Sequence, residues 1–232
     1  MSLRRPGAVL FDLDGTLIDS APDLAGTCND MRVARGLPAL PFEVLRPMVG
    51  AGARGMVGAG FAVAPGEAGF PDLREEFLRR YEERMTRLTT VFADVLPMID
   101  ALRREGLAWG IVTNKVARLA EPLVAWLGFA DDAGAIICGD TTAHAKPHPA
   151  PLLEAARRIG IEPEACLYVG DDRRDVEAGA AAGMSTVAAA WGYLGAGAPV
   201  QEWGADAVIE RPGDLLPLIG VPFDPLIAAG MA

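Results

Sequence analysis

Five short apolar runs punctuate the chain: Ala8–Phe11, Ala108–Val112, Ala135–Cys138, Cys166–Val169 and Thr186–Ala189. Their length and unbroken apolar character predict strands buried on both faces. Between them, Val116 to Leu127, Pro149 to Ile159 and Val176 to Ala182 read as helices. Strand and helix in alternation predict an α/β protein, a parallel sheet with helices on both sides.

The first interval breaks this rhythm. Between Leu13 and Trp109 no segment reads convincingly as a strand. Ser20 is placed as the N-cap of a helix ending at Gly36, and Pro41 as the first residue of another. Pro71 opens a periodic helix with Leu73, Phe77, Tyr81, Met85 and Leu88 on one face. Glu75–Arg79 and Glu76–Arg80 form i,i+4 pairs on its outer side. The pattern predicts a helical insert over residues 19–90, just after the first strand.

A chain of 232 residues has room for one large core, or for a core and a small accessory unit. Its net charge of −10 argues against nucleic acid or an anionic membrane as partner, since both are bound by clustered Lys and Arg. Lys115 and Lys146 are its only lysines, so an anionic substrate would need cations gathered locally. Cys28, Cys138 and Cys166 show no metal-ligand spacing and read as reduced thiols. With no secretory or membrane-spanning pattern, the expectation is a soluble cytoplasmic protein.

The polar residues that end the apolar runs change the picture. Asp12 and Asp14 follow the first strand and point to the same side, because strand side chains alternate with period two. Two like charges ~4 Å apart repel by roughly 4 kcal/mol at an effective dielectric near 20. Either one is protonated or a cation sits between them. An Asp-Gly turn explains Gly15 but not Asp12. Asp171, Asp172 and Asp175 follow another strand, where an acidic N-cap for the next helix is the ordinary explanation. Thr113 ends a third strand, where it serves equally as a helix cap, and Lys146 precedes a helix. Together they fall at one edge of the sheet, where open α/β folds bind ligands. Acidic groups, a hydroxyl and a lysine there suit a hard cation and a phosphate.

The order D-x-D-G-T-L-x-D (Asp12 to Asp19), a strand ending in Thr113, Lys146-Pro147, then G-D-x-x-x-D (Gly170 to Asp175) resembles the haloacid dehalogenase-like hydrolases, over residues 8 to about 190. The insert is similar to the α-helical cap of the phosphoglycolate phosphatase and β-phosphoglucomutase branch. Trp109 to Pro122 and Val169 to Gly179 look most like phosphoglycolate phosphatases. Gly36-Leu37-Pro38, Gly52 to Gly55 and Gly170 to Asp172 resemble the N-acetylmuramic acid 6-phosphate phosphatases. The resemblance implies a Rossmann-like core over residues 1–18 and 91–232 and a cap over 19–90. It implies a phosphatase acting on a small phosphorylated metabolite, as a monomer or homodimer.

Carried over by position, Asp12 would be the nucleophile forming an aspartyl phosphate, and Asp14 the acid and then base. Mg²⁺ would be held by the Asp12 carboxylate, the Asp14 backbone carbonyl and Asp171. Thr113 and the Asn114 backbone would hold phosphate oxygens, Lys146 would neutralise charge, and Asp175 would orient the metal's waters or Lys146. Arg54, Arg46 and Ser20 are candidates to read the leaving group. Two positions depart from the pattern: Asp172 replaces a small residue, and Asp94 stands where many relatives have Gly between cap and core. A phosphosugar mutase shares these motifs. A phosphonatase would need a cap lysine, and residues 19–90 contain none. A dehalogenase would have no use for the proton of Asp14, and a non-catalytic scaffold would have no need of Asp12.

Overall fold

A computed structural model describes residues 3–195 and 197–222. In chain order the elements are β1 (Ala8–Phe11), β2 (Ile18–Asp19), α1 (Ala21–Val33), α2 (Phe42–Leu45), α3 (Gly52–Phe61), α4 (Phe70–Glu82), β3 (Thr90–Val91) and α5 (Val95–Arg104). They continue with β4 (Ala108–Val112), α6 (Ala117–Trp126), β5 (Ile136–Ile137), α7 (Ala150–Ile159), β6 (Cys166–Gly170), α8 (Arg173–Ala181), β7 (Ser185–Ala189), β8 (Ala207–Ile209) and α9 (Leu215–Leu218).

Six strands form one parallel sheet in the order β5-β4-β1-β6-β7-β8. Val9, Phe11, Trp109, Ile111, Leu167 and Val169 pack on one face with Val95, Met98 and Leu102 of α5. Ala8, Leu10, Val112 and Tyr168 pack on the other with Leu152 and Ala155 of α7 and Ala178 of α8. Burial on both faces explains why these strands read as apolar runs. A side chain such as the buried Phe11 contributes about 1.5–3 kcal/mol through burial. The chain leaves β1 for β4 on one side and reaches β6 on the other. The order therefore reverses beside β1, and a crevice opens at the carboxyl ends of β1, β4 and β6.

The helices α1, α3 and α4 of the insert pack around Cys28, Met31, Met56, Val57, Phe77 and Tyr81. This apolar cluster is continuous with the sheet's own through Leu17, Ile18 and Leu24. The chain enters and leaves the insert through a two-residue antiparallel ladder, Ile18 opposite Val91 and Asp19 opposite Thr90. Buried Asp23 of α1 secures the return: its Oδ2 accepts Leu88 N–H and Thr89 N–H at 2.9 Å and Thr89 Oγ1 at 3.0 Å.

Several local expectations shift. α1 stops at Val33, and Ser20 precedes it without capping through its side chain. α4 ends at Glu82, so Met85 is buried beyond it while Leu88 is 52 % exposed. Glu76 pairs with Arg80 at 2.8 Å as expected, but Arg79 pairs with Glu83 at 3.0 Å and Glu75 reaches Arg118 of α6 at 3.5 Å. α8 begins three residues before Val176, because Asp172 and Asp175 close a capping box around its first turn. β2, β3 and β8 leave no readable pattern in the sequence, because two or three residues are too few for an alternation to register.

Candidate active site

Three strand ends supply the site. Asp12 follows β1 and stays in register because its N–H donates to Val169 O at 2.9 Å. Thr113 follows β4 in the same way, its N–H donating to Ile137 O at 2.9 Å. Asp171 follows β6, and its two oxygens accept Thr16 Oγ1 at 3.0 Å and Tyr193 N–H at 2.8 Å. Gly15, at φ +88°, and Gly192 both press their backbones against Asp171, and a Cβ at either would collide with its carboxylate.

Lys146 enters from the loop before α7. Its Nζ lies 2.9 Å from Asp12 Oδ1 and 2.7 Å from Asp175 Oδ1, and donates to Val112 O and to Tyr168 Oη. Asn114 ties this loop to β4: its Nδ2 donates to Lys146 O at 3.0 Å and its Oδ1 accepts Lys146 N–H at 2.9 Å. The Asn114 side chain is thus committed to holding the lysine loop.

Carboxylate oxygens of Asp12, Asp171 and Asp175 lie within 4.8 Å of one another. One ammonium, Lys146, faces these three acids, which leaves two negative charges unmatched. Burial, then the charges of Asp175 and Asp14, push the Asp12 carboxyl up to about 7 against the pull of Lys146. Burial, then Asp12 and Asp175, raise Asp171 well above the carboxylate range. A cluster of hard oxygen donors two charges short of neutrality fits a divalent ion such as Mg²⁺.

Asp14 sits in a separate, balanced arrangement. Ser20 Oγ and Lys115 Nζ both donate to its Oδ1, the lysine at 2.8 Å. Lys115 Nζ also donates to Tyr81 Oη of α4 at 2.9 Å.

These groups open on a cavity of about 250 Å³ between the sheet edge and the insert. Its far wall is Gly50 to Arg54, where a 3-10 turn runs into the N-terminus of α3, with Arg74 of α4. Leu24, Phe77, Leu78, Val116 and Leu119 line its apolar side. Arg54 and Arg74 are exposed and have no ion-pair partner among the described residues. Asp172 caps α8 and grips Arg174 through both carboxylate oxygens at 2.8 Å, and Arg174 Nη2 donates to Gly50 O in the insert. From the insert side, Arg46 donates to Gly192 O at 3.1 Å and stacks on the Tyr193 ring.

The profile of the haloacid dehalogenase-like hydrolases matches residues 9–189, which includes each of these strand ends. The chain belongs to that family. It is 48 % identical over 217 residues to a phosphoglycolate phosphatase of Xanthomonas campestris pv. campestris, covering 92 % of this chain and 96 % of that one. It is also 40 % identical to an N-acetylmuramic acid 6-phosphate phosphatase of Pseudomonas aeruginosa, over 94 % of this chain and 97 % of the other. The crystal structure of a predicted phosphoglycolate phosphatase from Haemophilus somnus superposes with a TM-score of 0.82 at 25 % identity, covering 94 % of this chain and 99 % of that one.

In this hydrolase the structure gathers Asp12, Asp14, Thr113, Asn114, Lys146, Asp171 and Asp175 around one cavity, with Arg54 at its rim. Ser20 does not line the cavity; it is fully buried and its hydroxyl is spent on Asp14. Arg46 likewise turns to Gly192 and Tyr193. Sequence reasoning missed Lys115, Tyr81, Thr16, Tyr193 and Arg174. Lys115 carried a signal, as one of only two lysines in an acidic chain. Tyr81 was hidden as one more position of an apolar stripe.

Proposed function

We propose that this hydrolase is a Mg²⁺-dependent phosphatase that cleaves a small phosphomonoester, phosphoglycolate or a related acid, through an aspartyl phosphate. The observation that carries the reading is the pairing of Asp12 beside Lys146 with Asp14 beside Lys115 at the edge of one cavity. Asp12 attacks phosphorus, and Lys146 holds its carboxylate and offsets the charge of the incoming phosphate. Thr113, at the end of β4, supplies a hydroxyl for a phosphate oxygen. Asp14 donates a proton to the leaving alkoxide and takes one from the attacking water. Bound through Asp12, Asp171 and the Asp14 backbone, Mg²⁺ would neutralise the phosphate and the carboxylates. Asp175, gripped by Lys146 and by Asp172 N–H at 3.0 Å, positions the lysine.

Residues 19–90 form the cap, joined to the core of 1–18 and 91–232 through the β2–β3 ladder. Residues 1, 2, 196 and 223–232 of that division lie outside the described residues. Asp94, at φ +66°, takes at the second junction a backbone conformation that glycine reaches without cost. Arg54 and Arg74 offer cations for a carboxylate on the leaving group.

A second reading, N-acetylmuramic acid 6-phosphate as substrate, is favoured by the apolar wall of Leu24, Phe77, Leu78 and Leu119, which a two-carbon acid would leave uncovered. Phosphate release from phosphoglycolate, N-acetylmuramic acid 6-phosphate and p-nitrophenyl phosphate with Mg²⁺ separates the two. The larger kcat/KM names the substrate, and a rate that depends on added glucose 1,6-bisphosphate would turn the reading to a mutase. Asp12→Asn should abolish turnover on all three while the fold persists; activity within about tenfold of the parent would sink the nucleophile assignment.

A further inference from the structure

We infer that Lys115 is a positioning residue that ties the seating of the helical insert to the proton-transferring carboxylate of Asp14. The inference rests on the phosphatase reading above. Both lysines of the chain sit at the cavity, one beside each aspartate of the first motif. Lys146 answers the charge around Asp12. Lys115 answers nothing in that cluster; its side chain, 7 % exposed, turns to Asp14 and Tyr81 instead.

The contacts divide the two oxygens of Asp14. Lys115 Nζ and Ser20 Oγ both donate to Oδ1, whereas Oδ2 accepts no hydrogen bond among the described residues. A carboxyl with one oxygen clamped by two donors keeps the other in a fixed place to exchange a proton with a leaving oxygen. Effective proton transfer needs that placement within hydrogen-bond reach.

Tyr81 makes the clamp sensitive to the insert. It lies on α4, buried and stacked on Phe77, with its ring centroid 4.8 Å from Lys115 Nζ. Only with α4 seated over the sheet edge does its hydroxyl reach the ammonium. The third N–H of Lys115 has no acceptor among the described residues. Displacing α4 therefore removes one of two partners from the ammonium and leaves Asp14 less constrained.

The experiment measures kcat and KM for phosphoglycolate, whose alkoxide needs a proton to leave, and for p-nitrophenyl phosphate, whose phenolate leaves without one. Lys115→Met should lower kcat for phosphoglycolate by about tenfold more than for p-nitrophenyl phosphate, with KM for each little changed. Tyr81→Phe, a mild change for the fold, should shift the same ratio by about threefold, and the double variant should be no worse than Lys115→Met alone. Equal losses on both substrates, or effects that multiply in the double variant, would overturn the inference. If the parent enzyme with Mg²⁺ releases phosphate from neither of these two nor from N-acetylmuramic acid 6-phosphate, the phosphatase reading itself falls. If it hydrolyses both and the variants keep its ratio, only the role of Lys115 falls.

Discussion

Arg54 stands in the first turn of α3, exposed at the cavity rim with no ion-pair partner among the described residues. A guanidinium there suits a carboxylate two or three atoms from the scissile phosphate. Arg54→Ala should raise KM for a carboxylated substrate by an amount worth roughly 1.5–3 kcal/mol and leave p-nitrophenyl phosphate nearly untouched. Equal effects on both would assign Arg54 to the phosphate or the fold. Gly15 tests the opposite kind of residue, one with no side chain to offer. Gly15→Ala combines a left-handed backbone, costing roughly 1–2 kcal/mol, with a collision against Asp171. It should lower the Tm and weaken Mg²⁺ binding together; an unchanged metal affinity would refute the tight seat for Asp171. The residues legible in the sequence were those that end buried strands, where a polar group in an apolar run demands a reason. Asp12, Thr113 and Asp171 were found that way. Tyr81 was not, because its partner Lys115 belongs to another unit, and no local spacing reveals a contact across a cavity.

At the scale of elements, the start of α8 explains the departure at Asp172. Its side chain accepts Arg174 N–H at 2.9 Å, caps the helix and aims Arg174 at Gly50 of the insert. Asp172→Ala removes the cap and frees the arginine. It should cost about 0.5–2 kcal/mol of stability, read from denaturation midpoints. Asp172→Asn, which can still cap, should recover most of that loss; no difference between the two would assign the stabilisation to the ion pair. Each long strand was legible because burial on both faces writes an unbroken apolar run. The β2–β3 ladder was not, although it joins core and insert. Its pairing lies between residues more than seventy positions apart, and Asp23, which secures the return segment, reads in sequence as an ordinary acid near a helix start.

Across the whole molecule, an acidic chain has placed both its lysines and much of its buried acid at one cavity. The imbalance around Asp12 makes stability depend on pH. Its carboxyl titrates at about 7 when folded, because of burial and neighbouring acids, and near the ordinary value of 3.8 when unfolded. The folded state therefore binds the extra proton, and the metal-free protein should lose stability as pH rises from about 4 to about 7, by on the order of a few kcal/mol. Saturating Mg²⁺ should flatten that slope; a metal-free Tm that climbs over the same range would contradict the charge count. We propose that these acids hold a divalent ion for phosphomonoester hydrolysis. The most direct test is phosphate release from p-nitrophenyl phosphate before and after exhaustive chelation. Activity should disappear with the metal, return with Mg²⁺ and not return with the larger Ca²⁺; full activity in the chelated protein would contradict a metal-dependent site.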